Sequence, residues 1–462
     1  DILKAGLKPL YEIYGEEFEA KYEKAVALGI GKKIKAADLW KKIYESQVET
    51  GVPYIAYKDH ANRKSNHKNF GTIKSSNLCI EVFQYTNEKD ITAICTLSSL
   101  VLKNFVVDGT FDFELLKQAT WKTVKALNKV VDINHYSTEK GKKGGLSQRA
   151  IGIGVQGLAD TFFLMDYDFT SEEAKDLNKK IFETIYFAAL TESNELAKSG
   201  EFKVYDKFEG SPFSQGDLQF HMWGLTKEDL SGMHDWDSLV ESIKKYGVVN
   251  SLLTAVMPTA SSARVFGSYE MTEPITSNLM VRKVTQGEFT ISNQYLISDL
   301  EDLGIWSEEL KQEIIANDGS IQRVNFMNYL DPEAKGYEKK VKRIEKLLLK
   351  YRTIWEIRQR DLIDMAADRA PFIDQSQSMN IYMKEPTIGK VSSSHMHAFD
   401  RGLKTGCYYF KTQSAGKGGK HLAQDMTKIS AVKVDVEKPM AAAEILPPKP
   451  ENSPFECFGC SS

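Results

Sequence analysis

Residues 76–85 read SNLCIEVFQY. The stretch is rich in β-branched and aromatic residues, which predicts a strand. Strand side chains alternate between two faces, so Asn77, Cys79 and Glu81 would point one way and Leu78 and Ile80 the other. A thiol flanked by an amide and a carboxylate is an unusual grouping. The amide can hydrogen-bond a ligand and the carboxylate can take a proton. The plainer alternative is a buried cysteine between two loop-facing polar residues. A negative carboxylate raises the pKa of a neighbouring thiol, which works against a thiolate nucleophile. If Cys79 is catalytic, hydrogen-atom chemistry at a neutral thiol fits better than anionic attack.

Working outward, helical patterns are expected at 4–29 and 36–50, the second with Leu39, Ile43 and Val48 about one turn apart. VPYIAYKD (52–59) reads as another strand. Further helices are expected at 113–132, 148–166, 171–199 and 235–246, and one long helical pattern at 337–369. STEKGKKGGLS (137–147) has the composition of a flexible loop. SLLTAVM (251–257) reads as a buried strand ended by Pro258, and short strands return at MNIYM (379–383) and CYYFK (407–411). Strands separated by helical stretches predict an α/β architecture, without choosing a barrel over an open sheet. After Thr412 the chain becomes rich in Gly, Lys, Ala and Pro. Residues 413–455 therefore read as a flexible, disordered linker, and 456–462 as a short tail carrying Cys457 and Cys460.

Composition narrows the function classes. The chain has 462 residues, 42% hydrophobic and 27% charged, with a formal net charge of -3. That balance suits a soluble globular protein and gives no signal for nucleic acid. No run approaches the roughly 18 apolar residues of a membrane span. The five cysteines are an odd, low count that favours a reducing, cytoplasmic setting over a disulfide scaffold. No Cys/His spacing resembles a metal site, so no metal ligand is expected.

Four other motifs invite chemistry. IGIGVQGLAD (151–160) has G-x-G-x-x-G spacing at Gly152, Gly154 and Gly157. A dinucleotide fingerprint needs a strand before it, and KGKKGGLSQRA does not look like one, so small residues in a closely packed helix are the better reading. MPTASSARVFG (257–267) places Thr259, Ala260, Ser261, Ser262 and Ala263 after a proline. Such a loop can offer hydroxyls and backbone N–H groups to an anion, or can be an ordinary capping turn. GLKTGCYYFKT (402–412) holds adjacent Tyr408 and Tyr409, which on a regular strand face opposite sides. The C-x-x-C at Cys457 and Cys460 on a mobile segment suits thiol–disulfide exchange.

These pieces occur together, and in this order, in one family. Through GTIKSSNLCIE, IGIGVQGLAD, IFETIYFAALTESNELA, YGVVNSLLTAVMPTASS, ITSNLMVRKVTQGEF, PFIDQSQSMNI, GLKTGCYYFKT and the terminal ECFGC, the chain resembles the large catalytic subunit of class I ribonucleotide reductase. The resemblance covers most of residues 1–412. It implies the C-terminal part of a ten-stranded α/β barrel with a central finger loop. By position, Cys79 would be a transient thiyl radical that abstracts the substrate's 3′ hydrogen. Glu81 would take the 3′-hydroxyl proton and Asn77 would hydrogen-bond the substrate. Cys95 would be one of the two reducing thiols. Thr259 to Ala263 would hold the diphosphate of a ribonucleoside diphosphate. Tyr408 and Tyr409 would relay the radical from a separate small subunit with a di-metal/tyrosyl centre. Cys457 and Cys460 would re-reduce the active-site disulfide and be recharged by thioredoxin or glutaredoxin.

Departures from the family are informative. The phosphate loop usually reads Ser-Thr followed by an amide residue; here Ser261-Ser262-Ala263 leads to Arg264, a further phosphate contact or a solvent-facing side chain. Cys407 stands where Met is frequent and reads as a buried spectator. The family's N-terminal half, with the second reducing cysteine, the first barrel strands and the ATP/dNTP effector sites, has no counterpart here, and no cysteine precedes Cys79. The expectation is a split subunit that reassembles with its N-terminal half, or a fragment left by processing, inactive alone and forming a homodimer once assembled. The alternative is a non-catalytic assembly or regulatory piece of the same enzyme.

Overall fold

A computed structural model describes residues 8–284 and 287–413. Its centre is a set of parallel extended segments. Leu97–Val101 pairs with Gly152–Gln156 in register from Leu97↔Gly152 to Val101↔Gln156. Ile153 bridges Thr254, and Val256 bridges Gln377, both parallel. Ile381–Met383 pairs in parallel with Phe410–Thr412. Parallel neighbours need long crossovers, and helices supply them. Phe113–Ile133 lies between the first two strands in sequence and packs on Glu172–Lys198. The α/β expectation is met.

The long helices follow their sequence signals. Asp112, Ser171 and Asp235 accept hydrogen bonds from the backbone N–H groups of Leu115, Ala174 and Ser238, as N-caps do. Ala36–Thr50 ends at Gly51, whose φ of 83° is a left-handed C-terminal stop.

Four expectations need correction. Residues 148–166 are not one helix: a strand, Gly152–Gln156, precedes a helix, Leu158–Leu164. The amides of Ile151, Gly152 and Ile153 bond the carbonyls of Leu252, Thr96 and Leu253, so cross-chain partners take the backbone. The strand is buried at every position, which removes the alternation that would have revealed it. Its glycines serve a strand. A Cβ at Gly154 would sit 2.5 Å from the Ala255 carbonyl oxygen.

Residues 137–147 are not a loop. Thr138 caps the helix Glu139–Gln148, and a Cβ at Gly144 would lie 2.1 Å from the Thr92 carbonyl oxygen. Glycine there permits close approach and does not signal mobility. The 337–369 pattern splits into Tyr337–Lys350 and Gln359–Arg369. Between them, Ile354 N–H bonds the Ile275 carbonyl and Asn278 donates to the Tyr351 carbonyl, diverting groups a continuous helix needs. The 4–29 pattern begins its α-helix only at Gly15. Before it, the Lys58 ammonium gathers the carbonyls of Leu10, Tyr11 and Ile13. The helix at 36–50 and the strand at 379–383 are close to expectation, while the strand at 52–59 shrinks to Ile55–Ala56. The linker at 413–455 (beyond its first residue) and the tail at 456–462, with Cys457 and Cys460, lie outside the described residues.

Candidate active site

The 76–85 segment is a tight loop, and the strand expected there does not form. Asn77 organises it. Its side-chain oxygen accepts from the amides of Glu81 (3.2 Å) and Val82 (3.1 Å), and its Nδ2 donates to Glu81 Oε1 at 2.9 Å. The Asn77 carbonyl accepts from Ile80 N–H at 3.3 Å. Asparagine favours such local turns because its short amide can mimic backbone. Asn77 and Glu81 thus meet through a turn, with Cys79 between them, and the alternation argument does not describe how.

Ile80 has φ of 63°, a left-handed conformation that a β-branched residue adopts only under constraint. The constraint comes from outside the loop. Thr405 Oγ1 donates to the Ile80 carbonyl at 2.9 Å, and Ser378 Oγ donates to the Cys79 carbonyl at 2.6 Å. Ser376 N–H bonds the Glu81 carbonyl at 2.9 Å. The Ile80 side chain is buried with Ala61, Ile73, Phe83 and Tyr408. Ser378 and Thr405 were not predicted. Their signal was weak: small polar residues inside otherwise buried stretches.

The electrostatics favour neutral groups. Burial pushes the Cys79 thiol's pKa up and nearby Glu81 adds to this, while a hydrogen bond with Tyr408 opposes it. Glu81 is 1% exposed, and burial raises its pKa against the hydrogen bonds from Asn77 and Ser378. A protonated thiol beside a carboxyl that is easily protonated is poor for anionic attack and suited to hydrogen-atom transfer.

Tyr408 and Tyr409 occupy a break between the strands Thr405–Cys407 and Phe410–Thr412, so they do not simply face opposite sides. Tyr408 N–H bonds the Met379 carbonyl (2.7 Å), and Tyr409 N–H bonds Asn380 Oδ1 (3.1 Å). Their ring centroids are 4.4 Å apart, tilted by 51°. Tyr408 and Cys79 lie in the same apolar cluster, and the Tyr408 phenol's pKa is pushed up by burial and further by Cys79. Asn380, also unpredicted, is held by Glu273 at 2.6 Å; Glu273 in turn accepts from the Tyr382 hydroxyl at 2.6 Å. Cys407 is fully buried, and its Sγ lies 3.8 Å from the Tyr408 carbonyl oxygen.

Thr259 to Ala263 form the entry to the short helix Ala260–Val265. Thr259 Oγ1 accepts from Met271 N–H at 2.8 Å, and Ser262 Oγ donates to Gln156 Oε1 at 3.1 Å. These bonds fix the loop to neighbouring elements. The first turn of a helix leaves N–H groups without intrahelical acceptors. Arg264 is exposed and acts electrostatically on Glu270. The loop is tied to Cys79 through the 376–378 segment: Ser378 N–H bonds the Val256 carbonyl at 2.9 Å while its hydroxyl bonds Cys79. Cys95 is exposed, beside Ile94, whose N–H donates to Gln84 Oε1 at 3.3 Å. Among the described residues no group of three His, Cys, Asp or Glu is placed to hold a metal ion, and no helix is long and apolar enough to cross a membrane.

Comparison with known proteins identifies the family of the chain. The family profile "Ribonucleotide reductase, barrel domain" matches residues 3–409. The ribonucleoside-diphosphate reductase large subunit of Caenorhabditis elegans is 48% identical over 409 residues, 88% of this chain and 49% of that protein. The large chain of Cryptosporidium parvum is 47% identical over 409 residues, 88% of this chain and 48% of that protein. The structure of the Actinobacillus ureae class Id ribonucleotide reductase alpha subunit superposes with a TM-score of 0.60 at 25% identity, covering 82% of this chain and 61% of that one. The chain spans about half the length of the curated relatives it matches. With the barrel profile matched almost from end to end of the described residues, the chain belongs to the ribonucleotide reductase family, within its barrel domain.

Proposed function

We propose that this chain carries the radical site of a ribonucleoside-diphosphate reductase large subunit. The observation that carries the reading is the single connected cluster in which Asn77, Glu81 and Ser378 surround Cys79 while Tyr408 adjoins its thiol. The oxidising equivalent originates outside this chain, in a small subunit's di-metal/tyrosyl centre. Within the chain, a Tyr408 phenoxyl oxygen takes a hydrogen atom from Cys79, forming O–H and breaking S–H. The Cys79 thiyl then takes the 3′ hydrogen of a ribonucleoside diphosphate held by Thr259, Ala260, Ser261, Ser262 and Ala263. Glu81 accepts the 3′-hydroxyl proton, and the 2′-hydroxyl leaves as water. Two thiols, Cys95 being one, supply two electrons and two protons, one proton to the departing water and the other with the electrons to C2′, and become a disulfide, while Glu81 returns its proton to the 3′ oxygen. Cys79 returns its hydrogen to C3′.

Raised pKa values at Cys79 and Glu81 support this order of events. A thiol kept protonated retains the hydrogen it must donate, and a carboxyl with raised pKa is a better base once ionised. The test is conversion of ribonucleoside to deoxyribonucleoside diphosphate by the assembled large subunit with its small subunit. Turnover should vanish in Cys79→Ser. Retained turnover in that variant would refute the reading.

A further inference from the structure

A third phenol stands against the tyrosine pair. Tyr54 lies between the helix Ala36–Thr50 and the strand Ile55–Ala56, far from the pair in sequence. Its ring centroid is 4.8 Å from Tyr408 at 52° and 5.0 Å from Tyr409 at 87°. The Tyr408–Tyr409 distance of 4.4 Å closes a triangle of rings. Burial pushes the Tyr54 phenol's pKa up, and the neighbouring Tyr409 phenol adds to this. All three rings lie against the apolar patch that holds Cys79 and Ile80.

The segment carrying Tyr54 is itself pinned. Ser46 Oγ donates to the Val52 carbonyl and Gln47 Nε2 to the Pro53 carbonyl, each at 2.8 Å. Gln47 Oε1 is held by His395 at 2.8 Å. The Gly51 carbonyl accepts from Phe410 N–H at 2.9 Å, directly beyond the tyrosine pair. A phenylalanine would fill the same space. What the half-buried tyrosine adds to a phenylalanine is the hydroxyl alone, set beside two other phenol rings.

We propose that Tyr54 is a positioning residue for radical transfer: its hydroxyl hydrogen-bonds the phenol oxygens of the pair and keeps the Tyr408 oxygen facing the Cys79 sulfur. This rests on the radical reading above. In the step it serves, the Tyr408 phenoxyl gains a proton and an electron together from the Cys79 thiol. Tyr54 gains and loses neither. It fixes the donor–acceptor geometry, on which such transfers depend steeply.

Tyr54→Phe keeps the ring and removes only the hydroxyl. In the assembled enzyme it should lower kcat about tenfold with KM for the nucleoside diphosphate unchanged, the pattern of a group acting after substrate binding. A second readout does not require turnover. With a fluorinated tyrosine at position 408 of the large subunit, phenolate absorbance reports that phenol's titration. Loss of a hydrogen-bond donor to the phenolate should raise its pKa by about half a unit or more in Tyr54→Phe. A merely structural ring would move neither readout, because phenylalanine preserves the packing. Unchanged kcat and an unchanged titration at 408 would overturn the proposal. If Cys79→Ser is inactive in the same assay, that outcome refutes the role of Tyr54 alone; if Cys79→Ser turns over, the radical reading itself fails.

Discussion

Two regions of this chain are held in place by different forces. The helices Phe113–Ile133 and Glu172–Lys198 bury apolar stripes: Leu116, Val124, Ile181, Ile185 and Leu190 are each at most 1% exposed. That surface is non-directional, and its stability grows with the area removed from water. The loop around Cys79 buries Ile80 and Glu81 but leaves Leu78 exposed, and its shape is set by directional bonds from Ser376, Ser378 and Thr405 and by a left-handed Ile80. One region tolerates exchange of similar volumes. The other depends on individual donors, because a buried acceptor that loses its partner keeps the full desolvation cost.

The comparison breaks at defined points. The largest effect expected is on chemistry without folding: Cys79→Ser should reduce turnover to background while the thermal midpoint stays within about 2 °C, since serine replaces a half-buried cysteine at nearly the same volume. Leu190→Ala should do the reverse. It should cost about 2–5 kcal/mol in urea unfolding, with activity per folded molecule retained. Ser378→Ala lies between. It strips a donor from the Cys79 carbonyl and from Glu81 Oε2, and should cost about 1–3 kcal/mol and lower turnover together. If stability alone changed, the directional bonds would be scaffold rather than site.

The smallest effect expected is a pH slope. His67 is fully buried; its Nδ1 accepts from Tyr85 N–H at 3.1 Å and its Nε2 lies 2.8 Å from Ser251 Oγ. Burial lowers its pKa to about 3 from an ordinary 6.5. A base whose folded pKa is depressed contributes stability that is present above the unfolded value and lost as pH falls toward the folded one. Urea midpoints should therefore decline between about pH 6.5 and 3, and His67→Gln should flatten that part of the decline relative to the parent chain. An equal slope in both proteins would assign the acid sensitivity elsewhere.

Legibility in the sequence followed the type of force. Helices at 36–50, 113–133, 172–198 and 236–246 were readable because periodicity and capping residues are local signals. The Gly152–Gln156 strand was not, because burial on both sides erases alternation. The break at 351–358 was hidden because its cause is a bond from Ile354 to Ile275, outside any local window. At the site, the residue types were visible as chemistry, but Asn77 and Glu81 were joined by the wrong geometry. Ser378, Thr405, Asn380 and Tyr54 were missed, since single polar or aromatic residues in buried stretches give no pattern.

The sequence by itself determined the α/β class, the placement of the main helices and the presence of a thiol, carboxylate and amide within five residues. These depend on side-chain chemistry and on periodicities that span one or two turns. The tertiary structure alone decided that residues 76–84 form a constrained turn, that the tyrosines sit in a strand break, and that Tyr54 completes their triangle. Each of those outcomes is fixed by hydrogen bonds and ring contacts between segments distant in the chain. No local propensity encodes such partners, and in the loop they hold a conformation that isoleucine would not adopt unaided.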